Sequence, residues 1–186
     1  NEATEVTRKV TVTQEPDITG PVLTLVGKAD MSAEAGVAFV DPGFSASDDR
    51  DGDLTAKIVK GGDTVDTATL GVYTITYNIS DAAGNAAAQL TRTVTVADST
   101  APAVSLKGEA DAFVEAGTAY TDAGATATDV FEGDLTAKVT TDNPVDTSKV
   151  GEYSVTYRVS DTAGNEGVAT RKVTVADTLA PTLALV

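Results

Sequence analysis

The chain of 186 residues carries 13 Lys+Arg against 28 Asp+Glu, a formal net charge of −15 at pH 7, with no Cys, His or Trp. Thiol chemistry, imidazole acid–base catalysis and histidine metal sites are therefore excluded, and so negative a surface repels nucleic-acid phosphates and anionic lipid while favouring cations. No stretch approaches the roughly 20 apolar residues of a membrane helix, and no charged n-region followed by an apolar h-region opens the chain.

In chain order, "NEATEVTRKVTV" at residues 1–12 matches "NAAAQLTRTVTV" at 85–96, so residues 1–16 read as the last strand of a preceding unit. A first unit follows over 17–97 and a second over 98–176, each entered by an aspartate and a proline: Asp17 and Pro21, then Asp98 and Pro102. The two share "GDLTAKI" (52–58) with "GDLTAKV" (133–139), "VDTATLGVYTITYNISDAAGN" (65–85) with "VDTSKVGEYSVTYRVSDTAGN" (145–165), and "TRTVTVAD" with "TRKVTVAD". Residues 177–186 open with the same signal, "DTLAP", and "PTLALV" matches "PVLTLV" at 21–26, which reads as a linker and the first strand of a following unit. These terminal strands fit a window on a longer tandem array. Alternatively, they complete domains of identical neighbouring chains by strand addition, making a filament.

Within the first unit, strands are expected near 22–26, 37–47, 54–60, 64–67 (short), 72–80 and 88–97. In "YTITYNIS", Tyr73, Ile75, Tyr77 and Ile79 alternate with Thr74, Thr76, Asn78 and Ser80, and Val94 and Val96 take the inward places of "TRTVTV". That is the period of a half-buried strand, and nowhere does the chain show the i, i+3, i+4, i+7 stripe of a helix. Short strands separated by Gly, Asp, Asn and Pro turns make the fold class all-β, a tandem of antiparallel β-sandwiches. Tyr73 and Tyr153, each two residues past a glycine at the start of the penultimate strand, suit either a tyrosine corner or plain core packing.

The acids recur in three places per unit. The linker carries Asp17 or Asp98, the turn after the second expected strand carries Asp48, Asp51 and Asp53 or Asp129, Glu132 and Asp134, and the end of the penultimate strand carries Asp81 or Asp161. In an antiparallel sandwich these three places share one pole, where carboxylates repel unless they protonate, spread into water or hold a cation. An all-oxygen donor set makes Ca²⁺ the expected ion, since Mg²⁺ dehydrates reluctantly. An EF-hand does not fit: with its glycine on Gly52, Ser47 and Ile58 fall where its first aspartate and its bidentate glutamate belong. Asp49 becomes Val130 in the second copy and is set aside as a ligand. Good turn chemistry explains "DAAGN" by itself, with Gly84 free to take positive φ and Asn85 able to cap, but does not explain three acids converging twice.

The segments "DPGFSASDDRDGDLT", "GVYTITYNISDAAGN" and "DTLAP" resemble the immunoglobulin-like repeats of large bacterial surface and secreted proteins. The resemblance covers essentially the whole chain and departs from the pattern at Phe131, beside the second acidic turn. It implies tandem immunoglobulin-like sandwiches in an extracellular or cell-surface, cadherin-like array, with calcium at the joints, as in adhesins, biofilm proteins and accessory domains of secreted enzymes. The expected function is non-catalytic: a calcium-stiffened spacer whose partners are neighbouring domains of the same chain. A carbohydrate- or receptor-binding module is the competing reading and needs exposed aromatic platforms, for which Phe113, Tyr120 and Phe131 are the candidates. Paired carboxylates also serve glycosidases, but these acids come without the sugar-binding aromatics such a groove requires.

Overall fold

Alternation of burial along the two long strands organises each repeat. In the computed structural model, which describes residues 1–183, Tyr153 is half-buried and Val155, Tyr157 and Val159 are buried on β13 (Gly151–Ser160). Ile75, Tyr77 and Ile79 follow the same rhythm on and just past β6 (Gly71–Asn78), and Val94 and Val96 point inward from β7 (Leu90–Ala97), as the period-two reading expects.

The first repeat also contains β1 (Val22–Leu25), β2 (Asp30–Glu34), β3 (Phe44–Asp48), β4 (Gly52–Asp53), a 3₁₀ turn (Thr55–Lys57) and β5 (Val59–Gly62). They form a three-stranded sheet, β1-β3-β4, and a four-stranded sheet, β2-β7-β6-β5. The second repeat copies this with β8 (Ala103–Leu106), β9 (Asp111–Glu115), β10 (Ala125–Asp129), β11 (Gly133–Asp134), a 3₁₀ turn (Thr136–Lys138), β12 (Thr140–Asp142), β13 and β14 (Glu166–Ala176), in sheets β8-β10-β11 and β9-β14-β13-β12. β9 runs parallel to β14, with Val114 opposite Val175, and β2 runs parallel to β7 in the same way, the Thr93 N–H donating to the Ala29 carbonyl and the Ala35 N–H to the Ala97 carbonyl. The pairs β1–β3, β3–β4, β5–β6, β8–β10, β10–β11, β12–β13 and β13–β14 are antiparallel. All-β immunoglobulin-like architecture therefore holds in both copies.

Four local expectations are corrected. Residues 30–34 form β2, which the sequence reading did not place; its residues expose alternate side chains and carry few β-branched residues. The expected strand over 37–47 is confined to β3, because Pro42 and Gly43 break its first half. The third expected strand opens as a 3₁₀ turn before β5 begins. Residues 64–67 make no strand; Asp66 instead accepts from the Ala68 N–H at 3.0 Å and organises a turn. Residues 1–21 lie outside the assigned strands, and of the expected C-terminal strand, residues 184–186 lie outside the described residues.

The chain divides into two compact units. One holds Asn1–Met31, Asp41–Thr64 and Tyr73–Val94; the other holds Ser32–Val40, Val65–Val72 and the chain from Thr95 onward. In the first unit Ala46, Leu54 and Ile79 pack with Leu23, Ile58 and Ala87. In the second, Val114, Ala125, Val155, Tyr157, Val173 and Val175 form a core flanked by Val104, Leu106, Tyr120 and Tyr153.

Each core also holds an arginine. Arg92 is fully buried, pairs with Asp41, and donates to the carbonyls of Val26 at 2.6 Å and Lys28 at 3.2 Å, while the Tyr77 hydroxyl donates to Asp41 at 2.9 Å. Arg171 repeats this with Asp122, the Glu109 carbonyl at 2.9 Å and the Tyr157 hydroxyl at 2.8 Å. The signal was present in the sequence, since Arg92 shares its period-two face with Val94 and Val96.

Candidate metal site in the second unit

Asp129 ends β10, and the tight turn behind it explains its conformation. Its Oδ1 accepts from the N–H groups of Phe131 at 2.8 Å and Glu132 at 2.9 Å, closing an Asx-type turn. Its Oδ2 is buried and has no hydrogen-bond partner, in a residue only 7% exposed. Asp161, at the end of β13, is as buried, and accepts from the Asn165 N–H at 2.8 Å and side-chain amide at 2.7 Å. The same amide nitrogen donates to the main-chain carbonyl of Asp98 at 3.3 Å, tying the linker to this turn. Both Asp98 carboxylate oxygens are buried and without a partner.

One carboxylate oxygen from each of Asp98, Asp129 and Asp161 lies within 4.8 Å of the others. Burial pushes the Asp98 carboxyl above its ordinary range, and the charges of Asp129 and Asp161 push it further. Unsatisfied buried carboxylate oxygens are costly, and three converging acids, two of them with bare oxygens, suit a hard cation of the Ca²⁺ type. These residues therefore fit such an ion on their own geometry.

The other two acids expected at this pole are engaged elsewhere. Glu132 accepts from the Thr162 N–H at 2.5 Å and from Lys138 Nζ at 3.1 Å, and the Thr162 hydroxyl and N–H draw its pKa down to about 2. Asp134 accepts from the Thr136 N–H at 2.8 Å and so opens the 3₁₀ turn. Neither belongs to the gathered group.

In the first unit the grouping differs. Asp17, Asp48 and Asp49 bring their oxygens within 4.8 Å, so the acid that the sequence reading set aside lies in the group and Asp51, Asp53 and Asp81 do not. Asp48 Oδ1 closes the turn through Arg50 and Asp51, and its Oδ2 is buried without a partner. Asp17 and Asp49 are bridged by the Thr19 hydroxyl, at 3.2 and 3.1 Å. Asp51 accepts from the Ala82 N–H at 2.6 Å, Asp53 from the Thr55 N–H at 2.9 Å, and Asp81 from the Asn85 N–H and side-chain amide, both at 2.7 Å. Asn85 and Asn165, which bridge the turn aspartate to the linker carbonyl, belong to the architecture of both groups; their recurrence in "DAAGN" and "DTAGN" was the available signal.

Of the aromatic candidates, Tyr120 packs against the second core and donates to Asp122 at 2.8 Å, Phe131 is half-buried, and Phe113 is 60% exposed on β9.

The family described as "Bacterial surface protein, Ig-like domain" matches residues 23–96 and 104–175. The pesticidal crystal protein Cry22Aa of Bacillus thuringiensis is 35% identical over 143 residues, which is 72% of this chain and 19% of that protein. Among solved structures, the M60 catalytic domain with the CBM51-1 and CBM51-2 domains of Clostridium perfringens ZmpB aligns with a TM-score of 0.54 at 13% identity, over 85% of this chain and 31% of that one. A lipoprotein of Bacteroides thetaiotaomicron aligns with a TM-score of 0.39 at 17% identity, over 82% of this chain and 98% of that one. The likeness to the ZmpB structure, at 13% identity, is one of fold alone.

Proposed function

The chain belongs to the bacterial surface protein Ig-like domain family, and from that premise we propose that its repeats are a non-catalytic spacer whose linker is fixed by Ca²⁺ held at Asp98, Asp129 and Asp161. The observation that carries this reading is the bare, buried oxygen set: both oxygens of Asp98 and Oδ2 of Asp129. A cation there would relieve the mutual repulsion of the three acids and tie the linker to the ends of β10 and β13. The Asp17, Asp48 and Asp49 group is more exposed and partly satisfied by Thr19, so it would hold an ion more weakly.

A surface setting supports this reading, since the family is one of bacterial surface proteins. Extracellular calcium modules work at roughly 10⁻⁴ to 10⁻³ M, so such a site would fill outside a cell and stay empty inside.

Isothermal titration calorimetry tests the proposal. The expected result is one Ca²⁺ per chain in that affinity range, weaker Mg²⁺ binding, and loss of the Ca²⁺ signal in Asp129→Asn. Absence of Ca²⁺ binding in the unaltered chain would return the acids to turn chemistry.

A further inference from the structure

Each repeat ends its second strand on a glutamate, Glu34 on β2 and Glu115 on β9. Both carboxylates reach the chain just beyond the last strand of their own repeat. Glu34 Oε1 accepts from the N–H groups of Ser99 at 2.9 Å and Thr100 at 3.0 Å, and its Oε2 accepts from the Ser99 hydroxyl at 2.5 Å. Glu115 holds Thr178 in the same two-pronged way, accepting from its N–H at 2.8 Å and its hydroxyl at 2.6 Å. In both copies the residue gripped directly follows the linker aspartate, Asp98 or Asp177. Beneath each grip the ladder closes identically: the Ala35 N–H donates to the Ala97 carbonyl and the Ala116 N–H to the Ala176 carbonyl, each at 2.9 Å.

Asp98 needs such a restraint. Its two oxygens have no hydrogen-bond partner and one of them lies within 4.8 Å of oxygens of Asp129 and Asp161, so electrostatics alone would turn the linker outward to water. The contacts that oppose this are one 3.3 Å bond from Asn165 to the Asp98 carbonyl and the three bonds that Glu34 accepts immediately downstream. The Ser99 hydroxyl and N–H draw the Glu34 pKa down to about 2, so the acceptor is fully ionised at neutral pH.

We infer that Glu34 and Ser99 form a metal-independent linker clamp that presets Asp98 for the ion, with Glu34 acting as a positioning residue rather than as a ligand. Both Glu34 oxygens are spent on the linker, and Glu34 is not among the acids whose oxygens gather. Glu115 makes the same grip although Asp177 belongs to no gathered acidic group among the described residues. The clamp therefore belongs to the repeat itself, and an ion is an addition to it. Its consequence for affinity rests on the calcium reading above, whereas the clamp itself does not. Presetting a ligand removes an ordering cost that binding would otherwise bear.

The test combines amide hydrogen exchange by NMR with calcium calorimetry on the whole chain. In chelator, the Ser99, Thr100 and Thr178 amides should be protected; Glu34→Ala should release the first two and Glu115→Ala the third. Calcium affinity should fall about tenfold, close to 1.4 kcal/mol, in both Glu34→Ala and Ser99→Ala, with stoichiometry unchanged. Ser99→Thr, which copies the arrangement at Thr178, should restore it. Because Ser99 lies on the exposed linker, its variants keep the test open if Glu34→Ala disturbs β2. Unprotected Ser99 and Thr100 amides in chelator would overturn the clamp. So would unaltered affinity in Ser99→Ala beside a loss in Glu34→Ala, since Glu34 would then be a ligand. Protected amides in a chain that binds no Ca²⁺ would uphold the clamp and remove the calcium reading.

Discussion

Arg92 and Arg171 are the largest fully buried side chains, and each survives burial because a carboxylate, a phenol and main-chain carbonyls surround its guanidinium. Removing one partner of such a set leaves an uncompensated buried charge. Arg171→Ala should therefore destabilise its repeat by about 3–5 kcal/mol in urea unfolding. The tyrosines carry a pH signature. Burial, followed by the hydrogen bond to Asp41, raises the Tyr77 pKa to about 12, and burial with the bond to Asp122 raises that of Tyr157 as well. Raised folded-state values mean that their stabilisation is complete below the ordinary phenol pKa near 10 and is lost at higher pH, for Tyr77 as pH climbs through about 12 and for Tyr157 as pH climbs through its own raised value. Ultraviolet titration should show Tyr77 and Tyr157 ionising late and together with unfolding. On the acid side, burial pushes the Asp41 and Asp122 carboxyls up, but hydrogen bonds from Lys60, Gly43 and Tyr77 to Asp41, and from Tyr157, Tyr120 and Gly124 to Asp122, outweigh it. Both therefore titrate below the ordinary value, and their contribution fades only as pH falls below about 4.

At the level of elements, the turns that follow β2 and β9 separate two costs that a glycine can hide. Gly36 and Gly117 both adopt positive φ, +74° and +77°. A methyl group on Gly36 would also come within 2.9 Å of the Val130 carbonyl, whereas one on Gly117 would meet nothing within 4 Å. Gly117→Ala should cost about 1 kcal/mol from backbone strain alone, and Gly36→Ala should cost measurably more. Thermal unfolding of the two variants side by side checks this; equal losses would mean that the Val130 turn yields at no cost. Tyr153 resolves the corner question at the start of β13, since its hydroxyl donates to the carbonyls of Asp146 and Lys149, both at 3.0 Å.

For the molecule as a whole, an ion bound only by the folded state raises stability by mass action. At 10 mM Ca²⁺, a dissociation constant of about 10⁻⁴ to 10⁻³ M gives about 1.4–2.7 kcal/mol. The melting transition should rise by a few degrees over that in chelator at matched ionic strength, and the rise should vanish in Asp98→Asn. Matched salt is essential, because a net charge of −15 makes any added electrolyte screen self-repulsion. If linker fixation is the purpose, small-angle scattering should give different distance distributions in Ca²⁺ and in chelator. Superimposable curves would remove the stiffening function even if the ion binds.

The repeat, the all-β class, the inward faces of β6, β7 and β13, and the acidic pole were legible in the sequence, because each depends on local periodicity or on comparison of one copy with the other. β2 was not, since its residues carry little β preference and owe their conformation to a place beside β7. Nor was the division of labour among the acids. Asp129, Glu132 and Asp134 lie within six positions of one turn, yet one offers a bare oxygen, one binds Thr162 and one caps Thr136. A carboxylate's role is set by which N–H groups and charges surround it in three dimensions, and that arrangement, like the grip of Glu34 on a linker 65 residues away, exists only once the chain is folded.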